Sequence, residues 1–157
     1  MINWKLIAKI LGSLLFMEAF FMACCLLMTI IYGEADMTMF ITSTALTMAG
    51  AFLFRYFGHE ADNSLSRRDA YVVVSLIWVV FSLFDMVPFL LSGSVTNLAS
   101  AYFETMSGFT TTGATVIDDV ESLSHGLLFW RSLMQWIGGL GIVFFTVAVL
   151  PSRWAAA

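Results

Sequence analysis

A run of three threonines followed by a glycine, Thr110 to Gly113, is the part of this sequence best suited to hold an ion. Consecutive β-branched residues stiffen an extended backbone, and the glycine allows a φ/ψ combination that other residues avoid. Backbone carbonyls held around an axis in this way can replace the hydration shell of a potassium ion. The same residues also suit a threonine-rich loop with an ordinary glycine turn, so their spacing alone leaves both interpretations open.

The residues before this run predict a short helix that would position it. Leu98 to Ser107 would form about three turns, roughly 15 Å or half a bilayer, and Asn97 is a preferred N-cap residue type. A short helix followed by extended backbone is the plan of a re-entrant pore loop, because non-helical backbone at membrane depth must be buried in protein or line a water-filled path. The C-terminal end of the helix would carry a partial negative charge, which favours a cation.

Glu104 and Ser107 of the predicted pore helix are the residues we assign to support of the filter. Glu104 could accept hydrogen bonds from backbone or hydroxyl groups behind the filter, or it could be a solvent-facing charge, and we favour the first interpretation. Just outside the loop, a group of acidic residues could raise the local cation concentration: Asp118, Asp119 and Glu121.

The overall composition predicts a membrane protein. Of the 157 residues, 60% are apolar and 11% are charged, against about 25% charged in soluble domains, which excludes an ordinary soluble enzyme. The net charge of −4 has the wrong sign for a nucleic-acid binder. Cys24 and Cys25 are adjacent and cannot form a disulfide framework or a metal site. No paired nucleophile and base or phosphate-binding glycine loop is present in the sequence, so we predict no enzyme and no cofactor.

Four segments are long and apolar enough to span a bilayer, which takes about 20 residues: Ile10–Ile31, Met37–Phe54, Ala70–Leu91 and Leu133–Leu150. The predicted fold is an all-α integral membrane protein with four transmembrane helices, a re-entrant pore helix and an extended filter loop. Residues 1–69 would form two N-terminal transmembrane helices and a cytoplasmic loop. Residues 70–157 would form one helix–pore loop–helix repeat.

The basic residues predict the orientation of the chain. They flank one side of the predicted spans, whereas the other two connections are acidic; the basic set is Lys5, Lys9, Arg55, Arg67, Arg68 and Arg153. Both termini are therefore expected to be cytoplasmic, in a bacterial-type inner (plasma) membrane. Arg131 departs from this rule, and it could pair with Glu121 or Asp119 or extend to the lipid head groups.

Two carboxylates and a set of glycines lie within the predicted spans. Glu18, in the middle of the first span, could relay protons or cations, but we favour a protonated or hydrogen-bonded carboxyl that faces another helix. Asp85 could attract cations or hold the pore loop, but we favour a solvated carboxylate near the membrane interface. Gly138 and Gly141 share one helix face, and we favour close helix packing over a gating hinge.

Two strings of residues resemble a known family. Tyr102-Phe-Glu-Thr-Met-Ser-Gly-Phe-Thr-Thr-Thr-Gly-Ala-Thr115 closely resembles the first pore loop of the Trk/Ktr/HKT family of potassium transporters, especially its TrkH-like members. The resemblance continues through Phe129-Trp-Arg-Ser-Leu-Met-Gln-Trp-Ile-Gly-Gly-Leu-Gly-Ile142. It implies potassium transport, with the ion held by the backbone carbonyls of Thr111, Thr112 and Gly113. It also implies a cytoplasmic nucleotide-binding regulatory subunit of the TrkA type as a partner.

The chain departs from the family in one large respect, because family members carry four such repeats and this sequence carries one. Either four copies assemble as a homotetramer, which we expect, or the sequence is a fragment of a four-repeat transporter. A non-conducting assembly or sensor subunit is the alternative from another functional class.

Overall fold

The computed structural model describes residues 2–61 and 66–149, without the side chains of residue 67 and residues 144–149. These residues form α-helices joined by short connections and one 3-10 turn at Val120–Ser122. The helices are α1 Trp4–Tyr32, α2 Met37–Phe57, α3 Arg67–Leu91, α4 Leu98–Phe109 and α5 His125–Val149. The chain is thus an all-α protein over its described part, as the sequence predicts.

Among the described residues, three helices are long and apolar enough to cross a membrane: Trp4–Tyr32, Met37–Phe57 and Arg68–Leu91. They correspond to the first three predicted spans. The fourth predicted span starts within α5, and its last residue, Leu150, lies outside the described residues, as do Pro151 and Arg153.

The start of α5 is earlier than the sequence predicts, at His125 instead of Leu133. A carboxylate and a hydroxyl satisfy the first backbone N–H groups of this helix. The Glu34 carboxylate accepts from the N–H groups of His125 at 2.9 Å and Gly126 at 3.3 Å, and Ser124 Oγ accepts from Leu127 N at 3.4 Å. The charge of Arg131, which lies before the predicted span, is paired within the fold and does not interrupt the helix.

Helices α1 and α2 form a closely packed antiparallel hairpin. Its turn is at Gly33, whose φ of 66° is in the left-handed region. The Gly33 N–H donates to the carbonyl of Ile30 at 3.2 Å and caps the end of α1. Near the other end of the hairpin, a Cβ on Gly12 would lie 2.9 Å from the carbonyl oxygen of Ala51. The close approach of the two backbones at this point therefore requires that Gly12 has no side chain.

The short helix α4 lies between α3 and α5 and is fixed by its N-cap and its apolar face. Asn97 Oδ1 accepts from Ala99 N at 2.9 Å, which confirms the predicted N-cap. Phe109, at the C-terminal end of α4, is buried, and its ring centroid is 5.7 Å from that of Phe81 on α3. On α5, a Cβ on Gly138 would overlap the carbonyl oxygen of Phe109. The packing interpretation of Gly138 is confirmed.

Candidate functional site

The segment Thr110–Gly113 follows the last turn of α4 directly and folds back onto it. Thr111 N donates to the carbonyl of Gly108 at 3.0 Å, and Thr112 N donates to that of Ser107 at 3.0 Å. Thr111 has a φ of 56° and Gly113 a φ of 76°. The expected unusual backbone at Gly113 is confirmed. The expected continuous extended run is wrong, because these backbone hydrogen bonds to α4 curl the chain between Thr110 and Gly113.

Thr111 adopts a backbone conformation that is unfavourable for its residue type. A positive φ is rare for a β-branched residue, and strained backbone of this kind costs about 1–3 kcal/mol and tends to lie at functional sites. Neighbouring hydroxyls hold this part of the loop. Thr110 Oγ1 donates to the carbonyl of Met106 at 2.8 Å and lies 2.9 Å from Thr112 Oγ1. The side chains of Thr110 to Thr112 are exposed on this chain, so its own described helices do not cover the loop.

Glu104 of α4 contacts both the residues that follow Gly113 and helix α5. Its side chain is 1% exposed. The carboxylate accepts from Thr115 Oγ1 at 2.9 and 3.0 Å, from Val116 N at 2.9 Å and from Arg131 Nε at 2.8 Å. The bracing interpretation of Glu104 agrees with this geometry, and the solvent-facing interpretation is wrong. The Glu104 carboxylate binds Thr115 and Val116, which follow the loop, rather than Thr110 to Thr112.

Arg131 is the partner that sequence reasoning missed. Neither Glu121 nor Asp119 pairs with it, because α4 packs against α5 and brings Glu104 next to its guanidinium. The pair is separated by a long stretch of sequence, and spacing gives no signal of the contact. Removing one member of a buried ion pair costs about 3–5 kcal/mol, because the other charge is left uncompensated. The pair therefore fixes the position of α4 against α5 strongly.

Ser107 ties the two ends of the loop together. Its hydroxyl donates to the carbonyl of Ala114 at 2.6 Å, and its own carbonyl accepts from Thr112 N at 3.0 Å and Gly113 N at 3.4 Å. Ser107 is 5% exposed. These contacts agree with the assignment of Ser107 to support of the loop.

The glycines of α5 bring this helix close to the loop. Besides the contact of Gly138 with Phe109, a Cβ on Gly139 would lie 3.9 Å from Thr111 Cγ2. The nearest atom to a Cβ on Gly141 would be Trp78 Cη2 of α3, at 3.7 Å. Of the three glycines, Gly138 is the one at which the close approach of backbones leaves no room for a side chain.

The structure does not bring Glu18 and Asp85 to the loop. Both are buried inside the bundle, at 1% and 0% exposure. The expectation of a solvated Asp85 is wrong, because α3 continues through Pro88 to Leu91 and places Asp85 on a face that packs against α1. The expectation that Glu18 faces another helix is confirmed.

A second contact that the sequence analysis missed links the α1–α2 turn to α5. Glu34 Oε1 lies 2.8 Å from His125 Nδ1, and the Tyr32 ring stacks on the His125 ring at 3.8 Å between centroids. Burial acts to raise the pKa of Glu34, but the hydrogen bonds from His125 and Gly126 outweigh it and hold this pKa below its ordinary value. Charged Glu34 is therefore favoured in the folded protein.

Comparison with known proteins gives one consistent family. Residues 35–153 match the family model of TrkH, a cation transport protein. The Trk system potassium uptake protein TrkI of Halomonas elongata is 38% identical over 149 residues, which cover 95% of this chain and 30% of TrkI. The Trk system potassium uptake protein TrkH of Escherichia coli K12 is 31% identical over 150 residues, which cover 95% of this chain and 31% of that protein.

The fold agrees with a solved member of the same family. The crystal structure of the potassium transporter TrkH from Vibrio parahaemolyticus superimposes with a TM-score of 0.88 at 30% sequence identity. The match covers 96% of this chain and 32% of that one. The chain thus spans about a third of the length of the relatives it matches. These relatives are membrane transporters and not enzymes, and the chain belongs to the TrkH family of cation transport proteins.

Proposed function

We propose that this chain supplies one of four loops that together form a potassium-conducting pore. The backbone carbonyls of Thr110 to Gly113 would line the filter, and those of Thr111, Thr112 and Gly113 would contact the ion. The observation that carries the proposal is the left-handed backbone at Thr111 and Gly113, directly at the C-terminal end of α4. That helix end carries a partial negative charge that stabilises a cation.

The contacts that hold the two ends of the loop support the same function. A carbonyl cage discriminates between ions only if the carbonyls are held in place, and the Glu104–Arg131 pair and Ser107 bind both ends of the loop to α4 and α5. The relatives whose names state an activity are potassium uptake proteins, which favours potassium as the transported ion.

We further propose the organisation of the assembly. A carbonyl cage needs about four contributing loops, so four copies of the chain would surround one axis as a homotetramer. The same four loops could instead be repeats of one longer chain, of which this sequence is a part. Residues 1–69 would form a two-helix N-terminal region, and residues 70–157 the helix–pore loop–helix repeat.

The position in the cell and the partner follow from the same reasoning. The distribution of basic residues supports an inner-membrane protein with both termini in the cytoplasm. A nucleotide-binding regulatory subunit of the TrkA type would then dock on the cytoplasmic side. The membership of the TrkH family supports such a partner.

The test is potassium flux by the purified chain, with its mass measured in the same preparation. Wild-type protein reconstituted in liposomes should carry potassium faster than sodium, and native mass spectrometry should give four chains per particle. A strict monomer that conducts nothing would favour the alternative of a non-conducting subunit. It would contradict the homotetramer.

A further inference from the structure

Glu18 of α1 and Asp85 of α3 form a pair of buried acidic side chains away from the filter loop. Glu18 lies at the middle of α1, and the two residues are 1% and 0% exposed. Their carboxyl groups are close enough to act as hydrogen-bond partners of each other. With both groups ionised, none of their four oxygens has a donor in the part of the chain that the structure describes.

The cationic side chains of the neighbouring helices are paired elsewhere. Arg55 of α2 donates to Ser13 Oγ at 2.9 Å, and Arg131 of α5 donates to Glu104 at 2.8 Å. His125 of α5 contacts Glu34 at the far end of the helix. Neither α2 nor the described part of α5 therefore brings a positive charge to the pair.

The groups on α1 and α3 themselves do not supply a donor either. The Cys25 thiol of α1 lies near Asp85, but it points to the carbonyl of Phe21 at 3.7 Å. Lys9 is nine residues before Glu18, about 14 Å along the helix at 1.5 Å per residue. The charged residues of α3 other than Asp85 are at its start, about 24 Å from Asp85 by the same rise.

A proton is the smallest ligand that satisfies this arrangement. Ionised carboxylates only accept hydrogen bonds, and two unpaired negative charges in an apolar interior carry a large desolvation cost. A proton converts one carboxyl into a donor and gives the other a charge-assisted hydrogen bond. We propose that Glu18 and Asp85 form a proton-binding site between α1 and α3, in which a proton is held between the two carboxyl groups.

The site lies one helical turn from an anchor of the pore helix. Ser82 and Asp85 are three residues apart on α3 and share a face, and the Ser82 carbonyl accepts from Thr105 Oγ1 of α4 at 3.0 Å. Release of the proton would place two like charges across the α1–α3 contact and push these helices apart. Proton occupancy is thereby linked to the packing of the α1–α2 hairpin against the repeat that carries the filter.

Infrared spectroscopy of the whole chain in lipid tests this site. The wild type should show the C=O band of a protonated carboxyl at neutral pH. The band should shift in D2O and disappear reversibly at alkaline pH. Glu18→Gln and Asp85→Asn should each remove or weaken the band, because each replaces one member of the pair with a neutral group of the same shape. Asp118→Asn, at an exposed position, should leave it unchanged.

Three results would overturn the proposal. One is a wild-type spectrum without a protonated-carboxyl band at neutral pH, which requires no variant to fold. The second is a band that keeps its wild-type intensity in both Glu18→Gln and Asp85→Asn. Because a neutral amide mimics a protonated carboxyl, failure of the double variant Glu18→Gln/Asp85→Asn to assemble would also count against it.

Discussion

At the scale of single residues, Glu104 connects the Thr110–Gly113 loop to the rest of the molecule. One carboxylate receives a hydroxyl, a backbone N–H and a guanidinium N–H within 3.0 Å. Hydrogen bonds to a charged group contribute about 1.5–3 kcal/mol, more than those between neutral groups. The position of the residues that leave the loop thus depends on the charge of this side chain, and not only on its shape.

Glu104→Gln should destabilise the chain by about 3 kcal/mol, at the lower end of the range for a broken buried pair, because the side chain of Arg131 is 18% exposed. Cation discrimination should fall as well, at both low and high ionic strength, because a buried contact is poorly screened. The measurements are thermal unfolding and flux selectivity at two salt concentrations. The double variant Glu104→Gln/Arg131→Gln should recover part of the stability, because it removes the uncompensated charge.

The control for this prediction is Asp118→Asn, which removes an exposed charge near the loop. An exposed carboxylate acts through the potential at the pore entrance, and its effect should vanish when the Debye length shrinks to about 3 Å at 1 M salt. If Glu104→Gln behaves in the same way, with an effect only at low salt, Glu104 does not brace the loop.

At the scale of elements, two contacts of α5 fix the positions of α4 and of the α1–α2 hairpin. Gly138 lets α5 touch the C-terminal end of α4, and the start of α5 is held by Glu34 from the α1–α2 turn. Helix α5 is therefore joined to both halves of the chain.

Gly138→Ala should destabilise the protein by about 1–3 kcal/mol, the usual cost of overpacking, because its Cβ would overlap the backbone of Phe109. Gly141→Ala is a matched control in the same helix. Its Cβ would meet its nearest neighbour at 3.7 Å, an ordinary contact, and both substitutions raise helix propensity equally. Thermal unfolding of both variants is the measurement. Equal stabilities would show that α4 and α5 do not pack through Gly138.

The contact of Glu34 with α5 should make stability depend on acidic pH. Because the folded-state pKa of Glu34 is lowered, its contribution is complete above the ordinary glutamate pKa of about 4.3 and is lost as pH falls through the lower folded-state pKa. The wild type should therefore lose more thermal stability than Glu34→Gln when pH falls below about 4.3. Glu121→Gln, at an exposed glutamate of the 3-10 turn, should follow the wild type. Parallel pH profiles for all three would contradict a stabilising role of Glu34.

Sequence patterns predict the helices well and their side-chain partners poorly. Apolar length identifies α1, α2 and α3, and Asn97 marks the start of α4. The start of α5 at His125 has one local signal, the N-cap residue type of Ser124, whereas its other cap, Glu34, comes from the distant α1–α2 turn and is not predictable from local pattern. The same holds for Arg131 and Glu104 and for Glu18 and Asp85, which only the packing of separate helices brings together.

The backbone of the Thr110–Gly113 loop is likewise predictable at one residue and not at another. A glycine in a left-handed conformation is predictable from residue type, and Gly113 adopts one. The positive φ of Thr111 is opposed by its own side chain, so no local preference predicts it. It arises from the hydrogen bonds that the following residues make to the last turn of α4.

At the scale of the whole molecule, the chain presents a loop that its own described helices leave uncovered. Thr110 to Gly113 are exposed on this chain, and under the proposed function one loop would supply only a part of the carbonyl cage that a potassium ion requires. The TrkH relatives are about three times as long as the region they share with this chain. Four loops from copies of the chain or from further repeats would complete the cage.

Potassium flux of Gly113→Ser, compared with Gly93→Ser, tests the central claim most directly. Both glycines have a positive φ, 76° and 73°, and a Cβ on either would meet no neighbouring atom within 4 Å, so both substitutions carry the same backbone strain of about 1–2 kcal/mol. Gly93 lies between α3 and α4, outside the filter loop. We expect Gly113→Ser to lose potassium selectivity while it still inserts and assembles, and Gly93→Ser to keep it. Unchanged selectivity in Gly113→Ser, or an equal loss in both variants, would contradict a filter at Thr110 to Gly113.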